Sequence, residues 1–600
     1  MFIKIKPGRC EIKNSNHYFG YNTVSTSEGK LIYVKGAPRL YQEKRLQGVV
    51  ATDEVISDPE NLKLASLITE LLKCDDINKW GDFLTGAFLL VIINKKTSTC
   101  HIIVDLGNAY HLYSTNLSEN EIILSTDIEQ LALDTGKKNA LDFVSITEYL
   151  TNQTITYPHT FYDGLSEVHF ASCITVYFGS TELKVGLKPY WLPKCDKKEV
   201  CNDIEGLAIQ LRNGLSSEME KILSDKKNIG IFMSGGTDSR VLAGLIAESG
   251  MTGTAITVSD VVNPEVEIAR KVAEVNGLRH EVILRDEEYY PNLIEDSLSV
   301  VGPHTNFVWH MFLGFREKIN SFGFDALFGA YMSDTLLKLH EANVTGCYFL
   351  GRHLGTIEKF NTVDKKFIRG GSEFLKQFSV IFKEDILDQI NQRRIRIMEY
   401  WNSMRNDGSG WEWSYMWPFE RNKHNANLTT NIFNYPAYEI MIDRNIIEIA
   451  RIASQKIKIN GRLFNKATFP FISRASKIPV ANTMVRPSRF QRWDEFRIAL
   501  KQFLPNRIFL KDYKLFTTDN PVATHRCTTD LRKLWQVSTV LKDLRKGCYN
   551  ASDVTQNILK DPINIFDKNN YGSLPSGSIS HIMYTLLYLN MWREKRMDSS

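Results

Sequence analysis

The stretch Ile229–Gly250, "IGIFMSGGTDSRVLAGLIAESG", decides the fold. An apolar run ends in Ser234-Gly235-Gly236 and passes straight into an apolar-periodic helix that Gly250 closes. A strand that turns directly into a helix leaves the first-turn N–H groups without intrahelical partners, and the helix dipole there favours negative charge. Gly235 and Gly236 let a phosphate approach the backbone, and Ser234 and Ser239 can donate hydroxyl hydrogen bonds. Asp238 is out of place beside an anion unless a cation comes with it, and Mg²⁺ with pyrophosphate supplies one. The stretch has no Gly-Lys-Ser/Thr, so it is not a Walker A loop. The competing reading is a plain tight turn of an α/β protein.

Outward from this stretch the same alternation continues. "TGTAITV" (252–258) reads as a strand, Pro264–Gly277 as a helix with Pro near its start and Gly after its end, and "HEVIL" (280–284) as a strand. Strands alternating with helices imply a doubly wound parallel sheet. Upstream the chain is strand-rich. "GAFLLVIIN" (86–94), "CHIIVD" (100–105), "EIILSTD" (121–127) and "ASCITVYFG" (171–179) are short β-type runs, with helical patterns around Asn61–Leu72 and Asp142–Leu150. The polar stretch 192–206, "LPKCDKKEVCNDIEG", reads as a linker. Beyond residue 340 helical patterns dominate, up to a final helix near His581–Arg593.

Six hundred residues exceed one ordinary core, so two or more domains are expected. The chain is 43% apolar and 24% charged, with 73 Lys and Arg against 69 Asp and Glu. That near balance argues against a mainly nucleic-acid-binding or membrane-surface role. The apolar run Phe83–Ile93 is too short to span a bilayer, and the start "MFIKIKPGRC" lacks the apolar core of a signal peptide. Nine scattered cysteines without a CxxC read as reduced thiols of a cytoplasmic protein, not as a disulfide framework or zinc site.

"SGGTDS" (234–239) resembles the pyrophosphate loop of the asparagine synthetase B and β-lactam synthetase superfamily, ATP pyrophosphatases that make amide bonds. Residues 254–283 are similar to the second strand and helix of that fold, where the family holds adenine near Val258. "GAYMSDTLL" (329–337) resembles the second family loop, commonly Ser-Gly-Glu-Gly-Ser-Asp-Glu-Leu-Phe, and "ERNKHN…YPAYEIMIDRNIIEIA" the segments that follow. "LTGAFLLVIIN", "VDLGNAYHLYS", "ILSTDIEQL" and "TFYDGLSEV" fall in the order of the family's class II glutamine amidotransferase domain. The implied fold is an α+β Ntn-hydrolase-like sandwich, a degenerate glutaminase, over 1–195. An α/β PP-loop synthetase domain of the adenine nucleotide α-hydrolase-like type, with extra helices, follows over 196–600. The resemblance implies ATP and Mg²⁺ as cofactors. Ser234, Gly235, Gly236, Thr237, Asp238, Ser239, Val258 and Gly329 would meet ATP and pyrophosphate, and Asp238 and Asp334 the metal.

Three departures from the family pattern carry information. The glutaminase of this family uses a Cys exposed as the first residue of the mature chain. Here the sequence begins Met1-Phe2-Ile3, the nearest Cys is Cys10, and no Asn-Gly-Glu segment is present, so glutamine hydrolysis is not expected. Second, asparagine synthetases carry Glu where this chain has Tyr331. β-Lactam synthetases also have Tyr there, paired with a carboxylate, to take the proton from the attacking nitrogen; a protonated amine cannot attack, so a base is required. Glu420 and His424 lie roughly where that partner falls. The competing readings are an aromatic wall for Tyr331, a surface ion pair for Glu420 and a satisfied histidine for His424. Third, the family's Arg-x-Lys loop matches "KIPVANTMVRPSRF" (477–490) at Arg486, but Ser488 takes the Lys position, with Arg489 adjacent. Arg for Lys is not conservative. Lys466 matches an upstream helical Lys and faces either phosphate or solvent. The Trp-rich run 410–420 either walls an acyl pocket or forms helical core.

The expected function is ATP-dependent amide formation through an acyl-adenylate. The amine comes from the substrate, as in β-lactam synthetases and lasso-peptide cyclases, or from free ammonia as in asparagine synthetase-like amidation. Tyr331, Glu420, His424 and Arg486 are the candidate catalytic residues. The rivals are a PP-loop sulfur- or RNA-modifying enzyme and a catalytically silent nucleotide-binding scaffold. Expected partners are a small-molecule or peptide carboxylate and an amine, with room for a biosynthetic partner protein or a homodimer, and neither nucleic acid nor membrane.

Overall fold

The computed structural model describes residues 1–13, 22–25, 30–36, 39–40, 67, 71, 74, 76–115, 120–303, 306–338, 345–349, 352–357, 372–417, 423–488, 490, 493–494, 497, 518–547, 553–561 and 576–598. The strand–helix alternation expected from residue 228 onward is present. Strand β1 (Ile229–Phe232) leads into a helix at Thr237–Glu248, β2 (Thr254–Ser259) into Pro264–Val275, and β3 is Arg279–Leu284. The second helix begins as its sequence dictates. Asn263 accepts from Val266 N, and Pro264 fills the first helical position, where no N–H is needed. Gly250 and Gly277 follow the two helices at φ 73°, a conformation only glycine adopts without strain.

Strands β4 (Ala326–Gly329) and β5 (Ala437–Glu439) complete a parallel sheet in the order β3-β2-β1-β4-β5. Alternate residues face opposite sides. Ile229, Ile231, Ala255, Ala326 and Phe328 enter one large core, while Phe232, Ile256, Val258 and Leu327 pack with Phe312 and Tyr435 on the other face. Both faces are therefore buried, as parallel sheets require. Helix α1 (Ile204–Leu223) is capped by Asp203 from within the polar stretch read as a linker. It packs into the same core as α2 (Thr237–Glu248), α3 (Pro264–Val275) and a later helix over 462–468.

The upstream strands form two antiparallel sheets. One runs Leu183–Pro189, Ser172–Phe178, Thr99–Val104, Phe88–Asn94, Lys30–Gly36, Asn22–Ser25; the other runs Ser166–Glu167, Tyr113–Ser114, Ile122–Ser125, Phe2–Lys6, Arg9–Lys13. Ile3, Ile5, Val91, Ile102, Ile122 and Ile174 fill the space between them. Cys10 packs against that core from the edge strand, and Cys10, Cys74, Cys100, Cys173, Cys195, Cys201 and Cys527 are free thiols. The 3₁₀ helix Ile77–Phe83 and the buried, helical Leu67 and Leu71 lie over the outer face of the larger sheet. The remainder of the Asn61–Leu72 pattern is outside the described residues. The outer face of the smaller sheet is covered by Phe143–Asn152 and also by residues 375–390, 554–559 and 582–592 from far downstream.

One feature differs from the sequence-based expectation, and for the Trp-rich run one of the two open readings is decided. Residues 345–349 and 352–357 form a β-hairpin within a region whose pattern reads as helical. Trp413 and Trp417 are buried with Trp191 and Trp401, so these two tryptophans are core, and neither borders the cavity described next.

Candidate active site

The strand order reverses at β1. The chain moves outward from β1 to β2 and β3, then returns to place β4 on the other side of β1. At such a switch point the loops leaving neighbouring strands diverge and open a crevice at the strands' carboxyl ends. Here those loops are Met233–Gly236, after β1, and Ala330–Met332, after β4.

The first loop is held from behind. Ser239 Oγ donates to Ser234 O (2.9 Å), and Gly236 N donates to Ser234 Oγ (3.2 Å). The buried Arg240 guanidinium donates to the carbonyls of Gly235 (3.2 Å), Ile478 (2.8 Å) and Pro479 (2.5 Å). Glu265, on α3, accepts from Gly235 N (3.2 Å) and Cys527 N (2.9 Å). Gly235 has no room for a side chain, since an added Cβ would lie 2.5 Å from Ala481 Cβ. Gly236 caps α2 without a side-chain hydrogen bond, so the first turn, with Thr237, Asp238 and Ser239, keeps its anion-binding character.

The second loop is tied to the edge strand. The N–H groups of Tyr331 (2.5 Å) and Met332 (3.3 Å) donate to Glu439, which also accepts from Met441 N (3.0 Å). Burial pushes the Glu439 carboxyl up to about 7, against the pull of those three donors. The Tyr331 ring lies over Gly329, where an added Cβ would come within 2.1 Å of it. The Tyr331 hydroxyl, just ahead of the short helix α4 (Ser333–Leu337), accepts from Asn431 (2.6 Å) on helix α5 (Lys423–Asn434). Burial, and next the Glu439 charge, hold the Tyr331 phenol well above its ordinary value of 10.

Asp238 on α2 and Asp334 on α4 converge on one cation. The Lys338 ammonium bonds to both, 2.8 Å from Asp334 Oδ1. Ser333 Oγ donates to Asp238 Oδ1 (2.7 Å). The pair fits Mg²⁺: its donors are hard carboxylate oxygens, and the ammonium shows that a cation has room between them. Among the described residues no three His, Cys, Asp or Glu converge into an all-protein metal cage. Two carboxylates completed by substrate phosphates is the usual manner of holding Mg²⁺.

A cavity of about 730 Å³ opens beside Thr237, bordered by Lys338, Arg462, Lys466, Ser488 and Phe490. Arg462 and Lys466 come from helix α6, Arg462–Thr468. The Lys466 ammonium pairs with Glu205. Ser488 is engaged by Asp494, through its N–H (2.7 Å) and Oγ (2.8 Å). Arg486 is exposed, and Arg489 lies outside the described residues. Val258 is buried on β2, opposite Ile283, and Gly329 ends β4 in register with Glu439. Glu420 is outside the described residues; His424 lies in the first turn of α5, its side chain likewise outside them. The described partner of the Tyr331 hydroxyl is Asn431.

Sequence reasoning missed Arg240, Glu265, Lys338, Asn431 and Glu439. Lys338 and Arg240 each carried a local signal, one lying four residues after Asp334 and the other inside the opening stretch. The rest come from distant segments.

No helix among the described residues is long and apolar enough to cross a membrane. No curated protein matches the chain. Residues 210–306, from α1 past β3 and short of the second loop, match the family model described as asparagine synthase, so this segment is asparagine synthase-like.

Proposed function

We propose that the chain is an ATP-dependent carbon–nitrogen ligase, with a degenerate glutaminase-type sandwich over 1–195 and the synthetase over 196–600. A substrate carboxylate attacks the α-phosphorus of ATP, forming an acyl-adenylate and releasing pyrophosphate. An amine then attacks the acyl carbon, and AMP leaves. The observation that carries this reading is the meeting of Asp238 and Asp334 on one cation at the sheet's switch point, beside the side-chain-free cap of α2. Mg²⁺ bound there neutralises phosphate charge. The α2 amides and the Ser234 hydroxyl receive the pyrophosphate, Ser239 bracing the loop through its bond to the Ser234 carbonyl, and the ends of β2 and β4, at Val258 and Gly329, border the adenine. Tyr331 serves the amine step.

The amine comes from the substrate, as in β-lactam synthetases and lasso-peptide cyclases, or from free ammonia. Support comes from Cys10, which sits in a strand paired with Ile5 and packs against the sandwich core. A thiol in that setting is a packing group. Ser488, hydrogen-bonded to Asp494 where the family pattern has Lys, favours the second reading, a nucleotide-binding scaffold without turnover.

ATP–pyrophosphate exchange with panels of small-molecule and peptide carboxylic acids separates the two. The wild-type chain is expected to exchange. Asp238→Ala is expected to lose exchange while its unfolding transition stays close to wild type, because the partly exposed Asp238 carboxylate in the first turn of α2 contributes little packing. Wild-type AMP formation by that variant would sink the assignment, and no exchange by the wild type with any acid would leave the scaffold.

A further inference from the structure

We infer that Lys338 is a resident counter-cation of the Asp238–Asp334 pair that a divalent metal has to displace, so that the pair takes metal together with nucleotide phosphate and not alone. The inference rests on reading these two aspartates as the metal-binding pair.

The position of Lys338 is built by three elements. It follows α4 four residues after Asp334, the spacing that puts two side chains on one helical face. Its ammonium reaches across to Asp238 at the start of α2. It also lies 4.6 Å from the centroid of the Phe464 ring, on α6. The stem runs over Gly461, where an added Cβ would come within 3.2 Å of Lys338 Cγ. Gly461 itself sits at φ 67°, the left-handed region that favours glycine. The Lys338 side chain is only 14% exposed, so this is a seated cation and not a surface lysine swinging past two carboxylates.

Two carboxylates facing one point repel each other, and a cation between them removes that repulsion. A free divalent ion approaching the pair must therefore expel an ammonium from two charge-assisted hydrogen bonds. The expelled ammonium would border a cavity with three other basic groups, Lys456, Arg462 and Lys466, and one carboxylate, Asp494, which Ser488 and Arg497 already engage. A metal that arrives with a polyphosphate changes that balance. The phosphates fill the cavity with negative charge and give the displaced ammonium a partner within reach of its own stem. Lys338 thus stands both at the carboxylate pair and at the cavity that contains Ser488, where the family pattern places a lysine.

The test uses the full chain with Mn²⁺ as probe, its binding read by electron paramagnetic resonance without nucleotide and again with a non-hydrolysable ATP analogue. Without nucleotide, Lys338→Met is expected to bind Mn²⁺ at least about tenfold more tightly than wild type, because the pair is no longer occupied most of the time. With the analogue saturating, the gap is expected to close. Equal Mn²⁺ affinities without nucleotide would overturn the exchange. Adding Asp238→Ala or Asp334→Asn to Lys338→Met distinguishes that failure from failure of the underlying reading. Mn²⁺ binding lost in these double variants keeps the metal pair, whatever becomes of Lys338; binding retained in them removes both. Should the Met variant not fold, Lys338→Gln, which keeps a donor toward the carboxylates without a charge, replaces it in every arm with the same expected and overturning results.

Discussion

Tyr331 shows how one residue's surroundings narrow its chemistry. Asn431 donates to its oxygen, and burial beside the Glu439 carboxyl holds the phenol well above 10. A tyrosine in that state keeps its proton, and with its oxygen already accepting from an amide it is suited to pass a hydrogen on as a relay. If Tyr331 serves amine attack, only the second half-reaction needs its hydroxyl. Tyr331→Phe is then expected to retain ATP–pyrophosphate exchange while net amide formation falls by about 10²–10⁴-fold, the usual cost of losing a general acid or base. Asp334→Asn is expected to lose both, since the metal serves the first step. Normal product formation by Tyr331→Phe contradicts the role. Parallel loss of exchange and product would make Tyr331 a wall of the nucleotide site.

At the scale of elements, the second loop owes its shape to β5. Glu439 ends that strand and gathers the N–H groups of Tyr331, Met332 and Met441. Its carboxyl is buried and titrates at about 7 in the fold, against 4.5 when free, so the folded state holds this proton more tightly than the unfolded chain does. The group's contribution to stability is therefore full below pH 4.5, declines as pH rises from 4.5 to about 7, and is level above that. At about 1.4 kcal/mol per pH unit the decline is about 3 kcal/mol in order of magnitude. Glu439→Gln carries no titrating proton, so whatever its baseline cost, it is expected to gain on wild type by about that amount between pH 4.5 and 8. Denaturant unfolding of both proteins across that range checks it, and parallel stability curves would show that the carboxyl is not shifted.

Across the whole molecule, the two halves of the chain share their apolar cores. Leu106, Tyr110, Phe170 and Trp191 belong to the same core as the parallel sheet. The outer face of the smaller antiparallel sheet, with Phe2, Tyr113 and Ile123, is covered in part by Phe378, Phe382, Leu586 and Trp592. A fragment ending at residue 195 would expose that face to water, and an apolar patch of this kind drives association. Residues 1–195 expressed alone are expected to aggregate or to bind a hydrophobic dye strongly. A monomeric fragment with a cooperative unfolding transition and little dye binding would show that the downstream cover is dispensable.

The elements between residues 229 and 284 were legible in the sequence because each carries its own signal within a few residues. Apolar runs mark the strands, Asn263 and Pro264 open one helix, and Gly250 and Gly277 sit where the chain must turn left-handed. The serine–glycine loop and Asp238 were legible for the same reason, since a strand–turn–helix junction is a local object, and Asp334 through the resemblance of residues 329–337 to the family's second loop. The hairpin over 345–357 was not, because short apolar runs do not by themselves distinguish strand from helix. Nor could any local pattern show that Asn431 meets Tyr331 or Glu439 the second loop, because those pairs lie 100 and 108 residues apart and meet only through the order β1-β4-β5. The sequence by itself determined which residues carry the chemistry suited to phosphate and metal. The tertiary structure decided what holds them and what stands between them, because a contact between distant segments depends on strand order and packing, which no single stretch of chain encodes.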